Sequence, residues 1–275
     1  CKTMKIAYFT DTLLPQINGV TNTLDKLGSY LLKNDIEHMF LAPCYPNMSG
    51  EISNSPVKRF NSVRLPLYPE CRLSFPIYYN FMETVDEFSP DLIHLVTPFG
   101  IGLSGLHYAR ERNIPVVSSF HTNFDMYLKY YKYEFLDDVV WKFFRWFHSF
   151  CGVNFCPSKS TKRMLENKGI NNLKIWSRGI DTCKFSPDYR DDSIRNQIAP
   201  RKKAVFLYAG RIALEKDLDI LMKSIKEINF MYPGKAHFVF TGDGPYTEQL
   251  KKDAPENVTF TGYLKGPKLS QMYAS

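Results

Sequence analysis

Residues 204–221 read AVFLYAGRIALEKDLDIL, and the order of residue types in that stretch decides the fold. The six residues before Gly210 are all apolar or aromatic, the pattern of a strand buried on both faces. Gly210 and Arg211 stand at its end, and Lys216 follows five residues later, where an amphipathic helix is expected to start. A buried strand running into a helix is half of a βαβ unit, so the stretch predicts a parallel sheet. It predicts a site as well. Ligands of open parallel sheets bind outside the carboxyl ends of the strands, where the unpaired N–H groups of the next helix attract anions. Arg211 and Lys216 at that place make a clamp for a phosphate or diphosphate. The plainer alternative has Arg211 bonded to a neighbouring carbonyl and Lys216 solvated.

Outward from this stretch the same alternation recurs. Upstream, KIAYFT (5–10) and HMFLAP (38–43) read as strands. Between them lies a helix whose Val20, Leu24, Leu27 and Leu31 share one stripe. The proline-rich VRLPLYPECRLSFP (63–76) is expected to break regular structure. DLIHLV, a helix near 102–112 and IPVVSSF come next, then an aromatic helical region, FCPS, a short helix and LKIWSRGID. A polar stretch with two prolines, 185–203, reads as a linker. Downstream follow a helix over 217–230, HFVFTG, a helix over 246–252, NVTFTG and a helix from about 267. The fold class is α/β, two Rossmann-like domains with parallel sheets, spanning 1–184 and 204–275. The second shows only three strands and is expected to be incomplete.

Composition narrows the function. At 275 residues, 44% hydrophobic and 23% charged, the chain is globular, and no apolar run reaches the roughly 18 residues of a membrane span. Its six cysteines form no CxxC pair and read as reduced thiols of a cytoplasmic protein. The six histidines lack metal-ligand spacing, so no metal is expected. A net charge of +7 suits an anionic substrate or an anionic membrane surface. Without a Lys/Arg run, nucleic acid is not an expected partner.

Other motifs carry rival readings. GIGLSG (100–105) fits the dinucleotide pattern G-x-G-x-x-G and would support a nicotinamide-dependent oxidoreductase. In such a site the motif follows the first strand and an acidic residue ends the next one. Here the next strand runs on to His121. Asp217 and Asp219 resemble the metal-binding DxD of one glycosyltransferase class, yet they fall in a first helical turn, where carboxylates are commonplace. Gly19 sits where backbone can approach a ligand, or in a plain turn before a helix. TGDGP (241–245) reads as a crevice wall or a turn. His121, at a strand end, is placed for an inter-domain cleft or is a structural histidine.

Together, PQINGVTNTL, YPECRLSFP, HTNFDMY, PSKSTKRML, WSRGIDTCKFSP, AGRIALEKDLDIL, FTGDGP and VTFTGYL resemble the retaining glycosyltransferases of family 4, which have the two-domain GT-B fold. The likeness runs nearly end to end and favours the branch of GDP-mannose-dependent mannosyltransferases and sulfolipid synthases. It implies transfer of a sugar, mannose first and glucose or galactose second, from a GDP- or UDP-linked donor to a lipid or glycan acceptor. It implies that Arg211 and Lys216 neutralise the departing diphosphate, that Gly19 lies against the donor, and that His121 touches the donor sugar. Gly242, Asp243 and Gly244 would line the donor crevice, with Tyr263 and Leu264 beside the base. No cofactor or metal is implied, because the cations and the helix end supply the charge. For a lipid acceptor the protein would sit peripherally on the inner face of the membrane. The aromatic segment 126–150 suits that interface, or a helix buried in the domain.

Two departures stand out. The family's usual glycine after Glu-Lys is Asp217 here. The family's paired-glutamate motif would lie beyond MYAS, so the chain as given is expected to lack part of the donor site and to act, alone, as a non-catalytic binding fragment.

Overall fold

The computed structural model describes residues 4–16, 18–45, 55–65, 68–74, 78–121, 137–199 and 204–275. They fall into two compact units, one reaching to Arg178 and one running Gly179–Ser275.

The first unit is built on seven strands: β1 (Ile6–Phe9), β2 (His38–Pro43), β3 (Val57–Phe60), β6 (Leu92–Leu95), β7 (Val116–Ser119), β8 (Val153–Cys156) and β9 (Leu173–Ile175). They pair in the order β3-β2-β1-β6-β7-β8-β9, and every pairing is parallel. The chain steps from β1 to β3 in one direction and from β6 to β9 in the other, so β1 and β6 flank the switch point where such sheets bind ligands. All four residues of β1 are buried, because the sheet is covered on both faces. Ile6 and Tyr8 join Leu24, Leu31 and Phe40 in one core, beneath helix α1 (Gly19–Lys33). Ala7 and Phe9 join Leu95, Ile101 and Leu106 in the other, beneath helix α3 (Gly100–Arg112). Each such large side chain contributes about 1.5–3 kcal/mol on burial.

The proline-rich passage differs from its reading. It holds β4 (Ser62–Leu65) and β5 (Tyr68–Ser74), paired antiparallel, and is followed by helix α2 (Tyr78–Phe88). A two-stranded ribbon leaves one side of each strand without partners, and there a proline costs no ladder bond. The described part of the aromatic region is helix α4 (Asp137–Ser149). It buries Trp141, Phe144, Phe147 and His148 and exposes Lys142, Arg145 and Trp146, so it is a surface helix rather than an all-round buried one. Residues 126–136 lie outside the described set. Helix α5 (Lys159–Asn167) completes the unit.

In the second unit β10 (Ala204–Ala209), β11 (Ala236–Thr241) and β12 (Val258–Gly262) form a parallel sheet in that order, all stepping one way. The stretch read as a linker carries helix α6 (Asp192–Ile198), started by Asp191, whose carboxylate accepts from the Ser193 N–H at 2.9 Å. Asp191 in turn donates its N–H to the Ser275 hydroxyl at 2.9 Å, and Phe185 packs edge-on against Tyr273, so this stretch belongs to the second unit. Helices α7 (Leu218–Met231), α8 (Thr247–Asp253) and α9 (Pro267–Ala274) follow the strands. Leu218, Met222 and Ile225 pack on Phe238 and Phe240 as the core. Among the described residues, no helix is long and apolar enough to cross a membrane.

Candidate functional site

The residues singled out by sequence lie at the carboxyl edges of the two sheets. Gly19 and His121 belong to the first unit; Arg211, Lys216, Gly242, Asp243, Gly244, Tyr263 and Leu264 belong to the second.

At the second edge the three loops after the strands are fastened to one another by backbone. Gly210 N–H donates to the Thr241 carbonyl at 2.9 Å, Ile212 N–H to the Asp243 carbonyl at 3.0 Å, and Gly242 N–H to the Gly262 carbonyl at 2.9 Å. Gly242 has φ of +137°, and a Cβ there would overlap the Gly210 carbonyl oxygen. A Cβ at Gly244 would overlap the Ile212 carbonyl in the same way. TGDGP lies flat against the loop that carries Arg211. Asp243 acts locally. Its carboxylate accepts from the Gly244 N–H and the Thr247 hydroxyl, at 2.8 and 2.9 Å, and these bonds hold its pKa below the usual carboxylate range.

Arg211 is half-buried, with its carbonyl fixed by the Tyr208 hydroxyl at 2.7 Å. Lys216 is exposed at the end of a 3-10 turn, Leu214–Lys216, that leads into α7. Asp217 forms the hinge between turn and helix with φ of +51°, the left-handed region that favours glycine. Its side chain makes no capping bond to α7, so the first amides of that helix are not closed by their N-cap residue. Asp219 lies in the first turn of α7 and accepts from the Tyr246 hydroxyl at 2.8 Å. Tyr263 is exposed and Leu264 half-buried just beyond β12.

Two helix starts at the first edge, those of α1 and α3, are closed by side chains. Asn18 caps α1, accepting from the Val20 and Thr21 N–H groups at 2.9 Å each. The start of α3 is closed by Asp11, which sequence reading passed over. Its carboxylate accepts from the Ile101 N–H at 2.9 Å and the Thr97 hydroxyl at 2.6 Å. Burial raises its pKa to about 6 against the pull of those bonds. A pyrophosphate would need the place this carboxylate fills. The glycines of GIGLSG have packing to explain them: a Cβ on Gly100 would overlap the Ser74 carbonyl, and one on Gly105 would come within 2.5 Å of the Phe9 ring.

His121 follows β7, its Nε2 buried without a hydrogen-bond partner among the described residues. Burial first, and the charge of Arg178 second, push its pKa down to about 4, so the imidazole is neutral at physiological pH. Trp176 packs edge-on against it at 5.6 Å, and behind Trp176 lies buried His94, pushed to about 3 by burial and by His121. Arg178 also reaches Gly19: a Cβ there would stand 2.6 Å from its Nη1. The structure therefore brings Gly19 and His121 together around an arginine that the sequence showed only as part of WSRGID.

Comparison with known proteins bears on the family and the fold. Residues 203–275 match the family described as Glycosyl transferases group 1, and residues 17–184 that described as Glycosyltransferase Family 4. The chain is 28% identical over 276 residues to a GDP-mannose-dependent alpha-mannosyltransferase of Corynebacterium glutamicum, covering 99% of this chain and 65% of that one. It is 27% identical to the sulfoquinovosyl transferase SQD2 of Arabidopsis thaliana, covering 100% of this chain and 54% of that one. The chain thus spans between about half and two thirds of the length of these relatives. Among solved structures, the sucrose-phosphate synthase of Thermosynechococcus elongatus superposes with a TM-score of 0.73 at 14% identity, over 98% of this chain and 73% of that one. Fold, edges and sequence likeness agree: this chain belongs to glycosyltransferase family 4, with the α/β fold of the GT-B enzymes.

Proposed function

We propose that the intact protein is a retaining glycosyltransferase. It moves a hexose, mannose first and glucose or galactose second, from a GDP- or UDP-linked donor to a lipid or glycan acceptor. One observation carries the reading: the start of α7, left uncapped by Asp217, follows directly on Lys216 and, five residues before it, Arg211. As the sugar leaves, negative charge grows on the diphosphate. Cations and a helix start fixed beforehand stabilise that charge more than the ground state. No metal is required in this scheme, and stimulation by added divalent ions would contradict it. In the first unit a neutral His121 offers a hydrogen bond to a sugar hydroxyl rather than a competing charge, with Gly19 against the donor. Gly242, Asp243 and Gly244 shape the crevice, and Tyr263 and Leu264 flank the base. The exposed face of α4, with Val139, Lys142, Arg145 and Trp146, supports contact with an anionic membrane surface. Failure to co-sediment with anionic vesicles would remove that contact.

The test is calorimetric titration with GDP and UDP, together with turnover, for wild type and Arg211→Ala. One nucleotide is expected to bind, and the variant to lose about 100- to 1,000-fold in turnover. A loss below about threefold would sink the role assigned to Arg211.

A further inference from the structure

Arg178 has no role in the scheme above, yet it touches two residues that do. Its Nη2 donates to the backbone carbonyl of His121 at 3.5 Å. Its Nη1 fills the space that a side chain at position 19 would need. Trp176, two residues earlier, holds the His121 ring edge-on. The segment after β9 therefore grips His121 at backbone and ring alike, while Nε2 is left without a partner. Among the described residues Arg178 has no carboxylate partner.

We propose that Arg178 is a positioning residue for His121: wedged between Gly19 and the His121 carbonyl, its guanidinium holds the backbone at His121 and keeps a positive charge beside the imidazole. Among the described residues, the groups facing His121 that carry or take up charge are Arg178, from the segment after β9, and His94, from β6. Ser119, on β7, bonds His94 at 3.0 Å and adds no charge, nor does Trp176. His94 stays neutral, so Arg178 is the fixed cation that opposes protonation of His121. The ring thus keeps Nε2 for one bond to a hydroxyl at physiological pH. The consequence for turnover rests on the glycosyltransferase reading; the geometry does not.

The experiment is an NMR titration of the His121 ring in the intact protein, compared with Arg178→Gln and Arg178→Lys. In Arg178→Gln the midpoint is expected to rise by about half a pH unit or more. Arg178→Lys, which keeps the charge, should stay near wild type, and the acid limb of turnover should shift in step. Arg178 is exposed, so neither variant opens the core. Gly19→Ala is a second route: it pushes the guanidinium aside and should move the midpoint the same way. An unchanged midpoint in Arg178→Gln, or equal shifts in the two Arg178 variants, overturns the proposal. The titration needs no substrate. A wild type that binds neither GDP nor UDP would thus refute the donor-site reading, while the ring midpoints would still decide the role of Arg178.

Discussion

In the seven-stranded unit the carboxyl edge is furnished largely by buried side chains: the Asp11 carboxylate over α3, and two neutral imidazoles, His94 behind Trp176 and His121 with a bare Nε2. In the three-stranded unit the edge is backbone locked to backbone through Gly242 and Gly244, and the fixed charges stand towards solvent. A neutral group in a low-dielectric setting gives direction to a hydrogen bond, and a cation at a helix start gives attraction to a diphosphate. The two edges offer different chemistry, and they should fail in different ways.

Acid should separate them most. His94, His121 and His148 are held at about 3, 4 and 4, chiefly by burial, so their folded values lie below the 6.5 of an unfolded chain. The stability they contribute is present above pH 6.5 and is lost as pH falls towards 4. Asp11 acts with the opposite sign, because its raised value of about 6 makes the folded state bind a proton that the unfolded state releases down to about 4. Three protons against one leave about two, or about 3 kcal/mol for each pH unit between 6 and 4. The three tryptophans of the chain, Trp141, Trp146 and Trp176, all lie in the first unit, so urea melts followed by their fluorescence read that unit alone. A midpoint that stays flat from pH 6.5 to 4.5 would break the contrast.

Gly242→Ala attacks the other edge. The new Cβ would meet the Gly210 carbonyl oxygen, a backbone atom that cannot swing away, at a φ of +137° that alanine rarely adopts. Overpacking and backbone strain together are expected to cost about 3 kcal/mol. Hydrogen exchange should show β11 amides losing protection while the tryptophan melt is unmoved. Equal loss in both units would mean that the edges are not independent.

How far these edges were legible beforehand varies residue by residue. HMFLAP announces a buried parallel strand by composition alone. AVFLYA announces a parallel strand too, but not one buried on both faces, since β10 lies at the sheet edge with Ala204 and Phe206 exposed. Arg211 is conspicuous because a fixed cation follows six apolar residues. The hairpin of β4 and β5 was hidden, since prolines argue against a strand unless one knows that its outer side is unpaired. Arg178 was hidden for another reason: its partner Gly19 lies far off in sequence, and only the closing of the sheet brings them together. Asp11 left a trace that went unread, an acid directly after the first strand and Thr10. Asp217 was noticed as a departure, but its left-handed backbone belongs to the fold and not to the string of letters.

That residue offers the finest test of the contrast. Asp217→Gly would release the left-handed strain of a non-glycine residue, about 1–2 kcal/mol for most side chains and less for aspartate. It would also loosen the unfolded chain, and remove a negative charge from the start of α7, where such charge is favourable by about 0.3–1 kcal/mol. These opposed effects should leave stability within about 0.5 kcal/mol of wild type. Anion binding has no such cancellation. A carboxylate beside Lys216 weakens the attraction of the clamp for a diphosphate, so its removal should tighten nucleotide binding about two- to fivefold. The gain should shrink as salt is raised, because the groups are exposed. Tighter binding with unchanged stability would place the charge of Asp217 in the second edge's working field. Unchanged binding would mean that the cations there do not act on the nucleotide, and the contrast between the edges would lose its electrostatic half.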